Sequence, residues 1–233
     1  MKKIHLVISF PLFFSQFSSA IDVGDPTFFV ESNQKIAGKI IKNSVNESRF
    51  LKVSVQRVSS PLKGGIVISP ESKDELLAAP PVAILQPNAE DTIRFFYNGP
   101  ADGKERYYRV IWDESPLSTD DDLSTSNKVV QAMPHVRVST IMVVRPRNVK
   151  WDAKYTNGVI MNTGNTSLKT IYYGECTSKG LELLKRRHRE KDNTCKEVDY
   201  ILPGNTSHPE LVNIFANKAV GGVWEDGQFI KLN

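Results

Sequence analysis

The 233-residue sequence has few of the residues from which enzyme active sites are usually built. It contains two cysteines and four histidines, and the histidines are scattered along the chain. It has no Gly-x-Ser-x-Gly turn, no glycine-rich phosphate loop and no His-Glu-x-x-His motif. These absences disfavour an enzyme, and they give no reason to expect a catalytic residue, a cofactor or a bound metal ion.

The chain also lacks a large excess of either charge. Thirty Lys and Arg residues stand against 26 Asp and Glu residues, a net charge of +4. Two of the lysines, Lys2 and Lys3, fall within the first three residues. A chain so close to neutral has no broad basic field of the kind that nucleic-acid binding requires, so nucleic acid is not an expected partner.

Long hydrophobic runs are absent after residue 17. The apolar run at residues 4–17 follows Lys2 and Lys3 and precedes the small residues Ser18, Ser19 and Ala20. This order predicts a secretory signal peptide over residues 1–20. A retained membrane anchor is the alternative, but no stop-transfer charge cluster follows the run. No later segment is long enough to span a bilayer, so we expect no membrane insertion of the mature chain.

Cys176 and Cys195 are the two cysteines of the sequence. An even pair in an exported chain predicts one disulfide bond. His188 lies between them, so a reactive thiol or a zinc site built from these three residues is an alternative. Zinc ligands normally come in pairs about two to four residues apart, which favours the disulfide.

Apolar and polar residues alternate with a period of two in many short segments. Leu51, Val53 and Val55 alternate with polar residues, and residues 93–97 and 108–112 repeat the pattern. Turn-forming residues separate these segments. The pattern is typical of β-strands in sheets with one buried face.

Short strands with turns every ten residues or so predict an all-β fold of two tandem immunoglobulin-like β-sandwich domains. We assign residues 21–147 to the first domain and residues 148–233, with the disulfide, to the second. One helix is predicted at residues 180–191. Its basic part, residues 185–191, is either a site for an acidic partner or a solvated insertion.

The segment 128–144 is predicted to form a strand of about seventeen residues, whereas about five or six are usual. Residues 140–144 are apolar at nearly every position, as in a buried strand. The earlier half alternates instead. A strand that extends past its own sheet leaves an edge unpaired, which predicts pairing with another chain. The apolar side of this half consists of Val130, Ala132, Pro134, Val136 and Val138.

Several motifs, taken in order, resemble those of one protein family. Residues 105–112 (ERYYRVIW) and 140–147 (TIMVVRPR), with a variable loop between them, resemble the periplasmic, PapD-like pilus-assembly chaperones. Residues 21–25, 93–101 and 229–231 and the turn at residues 162–166 (NTGNT) are similar to the common-pilus type within that family. The resemblance covers essentially the whole chain and is weakest in the acidic loop and the basic insertion.

The resemblance implies a periplasmic chaperone that binds pilus subunits by donor-strand complementation. The long strand of the first domain would complete an immunoglobulin-like subunit that lacks its last strand. Its alternate apolar side chains would fill the groove of the subunit. The implied partners are pilus subunits and an outer-membrane usher, and no cofactor is implied. The implied donor residues are Val130, Ala132, Pro134, Val136 and Val138.

The sequence departs from the family at one site. Well-studied members anchor the C-terminal carboxylate of the subunit with an arginine on the first strand and a lysine on the last. These positions hold Asp25 and Ile141 here. Arg109, Arg137 and Lys39 are candidate replacements, and the alternative is that they are ordinary basic residues of a sheet surface.

The resemblance also implies an ion-pair cluster between the two domains, formed by Glu105, Arg145 and Asp226. Its role would be structural, because it would set the angle between the domains. A secreted adhesion or carbohydrate-binding module with the same sandwiches is an alternative function. The long alternating strand and the absence of a clustered Trp or Tyr platform argue against it. A pilus subunit is a third hypothesis, but a subunit would be a single incomplete domain.

Overall fold

The structure, a computed structural model, describes residues 21–117, 135–186, 193–208, 213–216, 220–225 and 228–232. Within these residues the chain forms fifteen strands and one helix. Strands of the first half pair with one another, and so do those of the second half. The all-β, immunoglobulin-like fold predicted from the alternation is confirmed. No helix in the described part of the chain is long and apolar enough to cross a membrane.

The first domain contains nine of these strands. Their bounds are β1 (Ile21–Asp22), β2 (Thr27–Val30), β3 (Ile36–Asn43), β4 (Arg49–Val58), β5 (Leu76–Ala79), β6 (Val82–Leu85), β7 (Glu90–Tyr97), β8 (Arg106–Pro116) and β9 (Val136–Val144). One sheet has the strand order β1-β3-β7-β5, and the other has the order β2-β9-β8-β4-β6.

The core of the first domain lies between these two sheets. Phe95, Trp112 and Met142 are fully buried there. The ring of Phe95 meets Trp112 edge-on at 6.0 Å and Phe28 at 5.3 Å between ring centroids. Phe95 and Trp112 belong to the alternating segments 93–97 and 108–112, so the period of two identified the buried face of β7 and β8 correctly.

The second domain is built around a four-stranded sheet. Its elements are β10 (Ala153–Thr156), β11 (Val159–Asn162), β12 (Leu168–Glu175), α1 (Ser178–Arg186), β13 (Thr194–Ile201), β14 (Val220–Glu225) and β15 (Gln228–Lys231). The main sheet has the order β13-β12-β14-β15, and β10 and β11 form a hairpin.

A disulfide joins Cys176 and Cys195 across the second domain, with 5.1 Å between their Cα atoms. Both cysteines are buried, and the predicted pairing is confirmed. The predicted helix is present over Ser178–Arg186, and residues 187–192, with most of the basic run, lie outside the described residues.

Candidate functional site

Strand β9 is covered differently on its two edges. One edge pairs antiparallel with β8 along the whole strand. The other pairs parallel with β2, but only from Ile141 to Val144. The pairing starts where the N–H of Ile141 donates to the carbonyl oxygen of Pro26, at 2.8 Å. Within the described part of the chain, no strand covers residues 136–140 on this edge.

The backbone groups of Arg137 and Ser139 face this open edge. Successive residues of a strand direct their N–H and C=O groups to opposite edges, so residues two apart point the same way. The N–H of Ile141 points toward β2. Arg137 and Ser139 therefore each present a donor and an acceptor to the same side. Such an edge is a template for another strand.

The face of β9 that carries the predicted donor residues is continuous with the domain core. Met142 and Thr140 are buried, and the Thr140 hydroxyl accepts a hydrogen bond from Trp112 Nε1 at 3.0 Å. Val138 packs against the same core, whereas Val136, further out on this face, is 37% exposed. The apolar row thus extends beyond the core. The remaining predicted donor residues, Val130, Ala132 and Pro134, lie outside the described residues.

Arg137, a candidate carboxylate anchor, is already paired within the chain. Its Nε lies 2.5 Å from Oδ1 of Asp113 on the neighbouring strand, and its side chain is 64% exposed. The hydrogen bond from Arg137 holds the pKa of Asp113 below its usual range. His135 Nε2 also approaches Asp113, at 3.8 Å.

Lys39, the second candidate, is buried on the inner side of β3. Its Nζ donates to the carbonyl oxygen of Asp25 at 2.5 Å and lies 5.0 Å from the ring centroid of Phe28. Burial lowers the pKa of Lys39, and the nearby carboxylates of Asp25 and Asp22 oppose this shift. The ammonium group thus lies beside Asp25, where the family has its arginine, but it points into the sandwich.

Arg109, the third candidate, lies on the outer face of β8 and pairs in register with Ile141 on β9. It is half-buried. No carboxylate of the described residues forms an ion pair with it. Of the three candidates, Arg109 is the one whose charge the described chain leaves unengaged.

Glu105 connects the two domains. Its side chain is 1% exposed, and its carboxylate lies 3.8 Å from Nη1 of Arg145. It accepts hydrogen bonds from the Thr166 hydroxyl at 2.7 Å, from the Ser167 N–H at 2.9 Å and from the Ser167 hydroxyl. The Tyr107 hydroxyl donates to it at 2.8 Å. A buried carboxylate needs such donors, so Glu105 is held by both domains.

Arg145 completes this junction from the end of the first domain. Its Nη1 donates to the Thr166 hydroxyl at 2.7 Å, and its Nε lies 3.0 Å from Glu31. The guanidinium stacks over the rings of Phe29 and Trp151, 4.6 and 5.0 Å from their centroids. The structure therefore brings Arg145 close to Glu105, whereas Asp226 lies outside the described residues.

Thr166 and Ser167 were not predicted as junction residues. Their only sequence signal is the turn at residues 162–166, and nothing in its composition indicates a contact with a glutamate about sixty residues earlier.

Apolar side chains also contact each other between the domains. Leu202 of the second domain packs against Val143 and its neighbours in the first.

A cavity of about 560 Å³ opens between the domains beside β9. Ile141 and Val143 contribute its wall from the first domain, and Tyr200 and Leu202 do so from the second. These features define a two-domain immunoglobulin-like protein in which, within the described residues, one strand edge of the first domain is uncovered beside a cleft between the domains.

Comparison with known proteins identifies the family. Residues 21–150 match the family model described as "Pili and flagellar-assembly chaperone, PapD N-terminal domain", and residues 151–232 match "EcpB C-terminal domain". "Probable fimbrial chaperone EcpB" of Escherichia coli O157:H7 is 38% identical over 232 residues and is covered at 100%, as is this chain. The corresponding protein of Klebsiella pneumoniae (strain 342) gives the same identity and coverage. The chain therefore belongs to the fimbrial chaperone family.

Solved structures show the same fold at lower sequence identity. The class 5 fimbriae chaperone CfaA is 16% identical, with a TM-score of 0.52 and coverage of 91% of this chain and 97% of that one. The Salmonella enterica complex of SafA pilin with the SafB chaperone gives 14% identity, a TM-score of 0.52 and coverage of 94% and 96%.

Proposed function

We propose that this fimbrial chaperone works in the periplasm, after removal of residues 1–20, and caps pilus subunits by donor-strand complementation before delivering them to an outer-membrane usher. In this proposal residues 21–147 form the subunit-binding domain and residues 148–233 the second domain. The protein acts by binding alone, without catalysis or a cofactor. The observation that carries the proposal is the edge of β9 at residues 136–140, which no described strand covers.

The open edge supplies both kinds of contact that strand addition needs: main-chain hydrogen bonds and apolar side chains. An incoming strand forms main-chain hydrogen bonds with Arg137 and Ser139, because their backbone groups face outward. Val136 and Val138 present apolar side chains on the face that continues the core. The proposal adds Val130, Ala132 and Pro134 to the donor residues on the alternation of the sequence alone. Full burial of one valine side chain is worth about 1.5–3 kcal/mol, so a few such residues carry much of the affinity.

The remaining family feature is the anchor for the C-terminal carboxylate of the subunit. We assign it to Arg109 rather than to Arg137 or Lys39. Arg137 is paired with Asp113, and Lys39 is buried against a backbone carbonyl. Arg109 lies next to Ile141, and its long side chain is able to reach across β9 toward a chain end at the open edge.

Replacing Val136 by Asp tests the donor-strand mechanism. The charge would enter the apolar groove of the subunit without a partner, which costs far more than an ordinary surface substitution of about 1 kcal/mol. We expect Val136→Asp to abolish recovery of a co-expressed soluble pilus subunit from periplasmic extracts. Ile40→Asp is the matched control, because Ile40 is an exposed apolar residue on the other sheet. Equal protection by Val136→Asp and the unmodified chaperone would contradict the mechanism or the register.

A further inference from the structure

A strand that pairs with the open edge of β9 has to leave the sheet at a defined point. Strand β2 occupies the same edge from Thr27 onward, and Pro26 already accepts the hydrogen bond from Ile141. An incoming chain that runs parallel to β9, as β2 does, therefore meets Pro26 after pairing with Ser139. It cannot continue along β9 and must turn out of the sheet beside Ile141.

The interdomain cavity begins at this point. Thr27 and Ile141 are direct partners in the pairing of β2 with β9, and both line the cavity of about 560 Å³. Pro26 lines it as well. A chain that leaves the sheet beside Ile141 thus has its next side chains at the cavity mouth.

The lining of the cavity is mostly apolar and lacks basic side chains. It contains no lysine, arginine or histidine, and its ionisable side chains are those of Asp25 and Tyr200. A carboxylate inside would lie near that of Asp25, which is unfavourable, and the neighbouring Lys39 lies on the inner side of β3 and does not line the cavity. An apolar side chain would instead contact hydrophobic groups from both domains. The lining residues are Asp25, Pro26, Thr27, Phe29, Pro61, Leu62, Ile141, Val143, Ser167, Tyr200 and Leu202.

We propose that this cavity binds an apolar side chain, aliphatic or aromatic, from the segment of the pilus subunit that follows its pairing with β9. This inference rests on the proposed function and adds the chemistry that the cleft selects. Asp25 and Ile141, which stand where the family has its anchoring arginine and lysine, thus line an apolar pocket here. The terminal carboxylate of the subunit stays outside the cavity, on the side of Arg109.

Leu62→Asp tests the proposal with little risk to folding. Leu62 lines the cavity from a loop and is 51% exposed, whereas Ile66, in the same loop, is 66% exposed and does not line it. We expect Leu62→Asp to weaken binding of a co-purified pilus subunit about tenfold or more, and Ile66→Asp to change it by less than about twofold. Equal effects of the two substitutions would overturn the proposal. If the unmodified chaperone retains no subunit, the proposed function fails instead.

A second measurement tests the cavity without any subunit. The methyl resonances of Leu62, Ile141 and Leu202 are followed by NMR during titration with N-acetylphenylalaninamide, an apolar probe, and with acetate, a carboxylate probe. We expect the apolar probe to shift all three resonances and acetate to leave them unchanged. Larger shifts with acetate, or no shift with either probe, would overturn the proposal.

Discussion

At the scale of single residues, contacts within the chain occupy two of the three candidate basic groups and leave the third available to a ligand. Arg137 and Lys39 both meet oxygen acceptors of this chain, at 2.5 Å in each case. Arg109 lies one strand away from the open edge and pairs in register with Ile141. Sequence alone did not rank these three candidates, because the rank depends on cross-strand neighbours such as Asp113 that only the register defines.

Arg109→Gln should therefore weaken subunit binding more than Arg137→Gln. Losing a charge-assisted hydrogen bond to a carboxylate costs about 1.5–3 kcal/mol, which corresponds to a tenfold weakening or more. Arg137→Gln should cost little, because it removes an exposed ion pair with Asp113. The measurement is the dissociation constant of the purified chaperone–subunit complex for each variant. A larger effect of Arg137→Gln would show that the carboxylate anchor is Arg137 on β9 and not Arg109 on β8.

At the scale of elements, the open edge of β9 depends on backbone groups more than on side chains. The N–H of Ser139 points away from β8, toward the open side. A proline at this position removes that N–H while the ladder with β8 keeps its hydrogen bonds, and proline is tolerated on sheet edges for this reason. Subunit binding and folding are thus separable at a single residue.

Ser139→Pro should abolish recovery of soluble subunit while the melting temperature of the free chaperone stays close to that of the unmodified protein. Ser139→Ala is the matched control, because it removes the hydroxyl and keeps the N–H. Recovery is measured in periplasmic extracts, and melting by circular dichroism. If both variants protect the subunit equally, the edge at Ser139 is not where the subunit pairs.

The strands show how far sequence periodicity predicts structure. In β7 and β8 the apolar residues of the alternation are the buried ones. In β3 hydrophobicity does not identify the buried face, because Lys39 and Asn43 are buried on the face of Ile41, whereas two other isoleucines of the strand, Ile36 and Ile40, are exposed. The Asn43 amide donates to three backbone carbonyls, so its burial is compensated by contacts that a pattern of hydrophobicity does not contain.

The candidate site was predictable to a similar degree. The final strand β9, the position of Val136 and Val138 on one face of it, and the proximity of Glu105 to Arg145 followed from the sequence or the resemblance, whereas the donor function of these residues stays a prediction. The parallel pairing of β2 with Ile141–Val144, which defines where the open edge ends, did not. This pairing joins residues more than a hundred positions apart, and a short strand such as Thr27–Val30 has too few residues to show a period.

At the scale of the whole molecule, the two domains are joined by polar and apolar contacts together. Glu105 receives hydrogen bonds from Thr166 and Ser167 of the second domain. Leu202 packs on the first domain beside Val143. The cavity proposed to receive the subunit lies between these same surfaces, so its shape depends on the domains keeping one relative orientation.

Glu105→Ala should loosen this joint. The substitution leaves the Thr166 and Ser167 donors without their acceptor and deprives Arg145 of one of its two carboxylates. Breaking a buried, hydrogen-bonded charge cluster costs about 3 kcal/mol or more. We expect scanning calorimetry to show a lower melting temperature and two separated transitions, because each domain then unfolds with less support from the other.

Glu31→Ala is the control, because Glu31 is the more exposed carboxylate partner of Arg145, at 48%. This substitution should lower the free energy of unfolding by about 1 kcal/mol or less. An unchanged single transition in Glu105→Ala would show that apolar packing around Leu202 alone couples the domains.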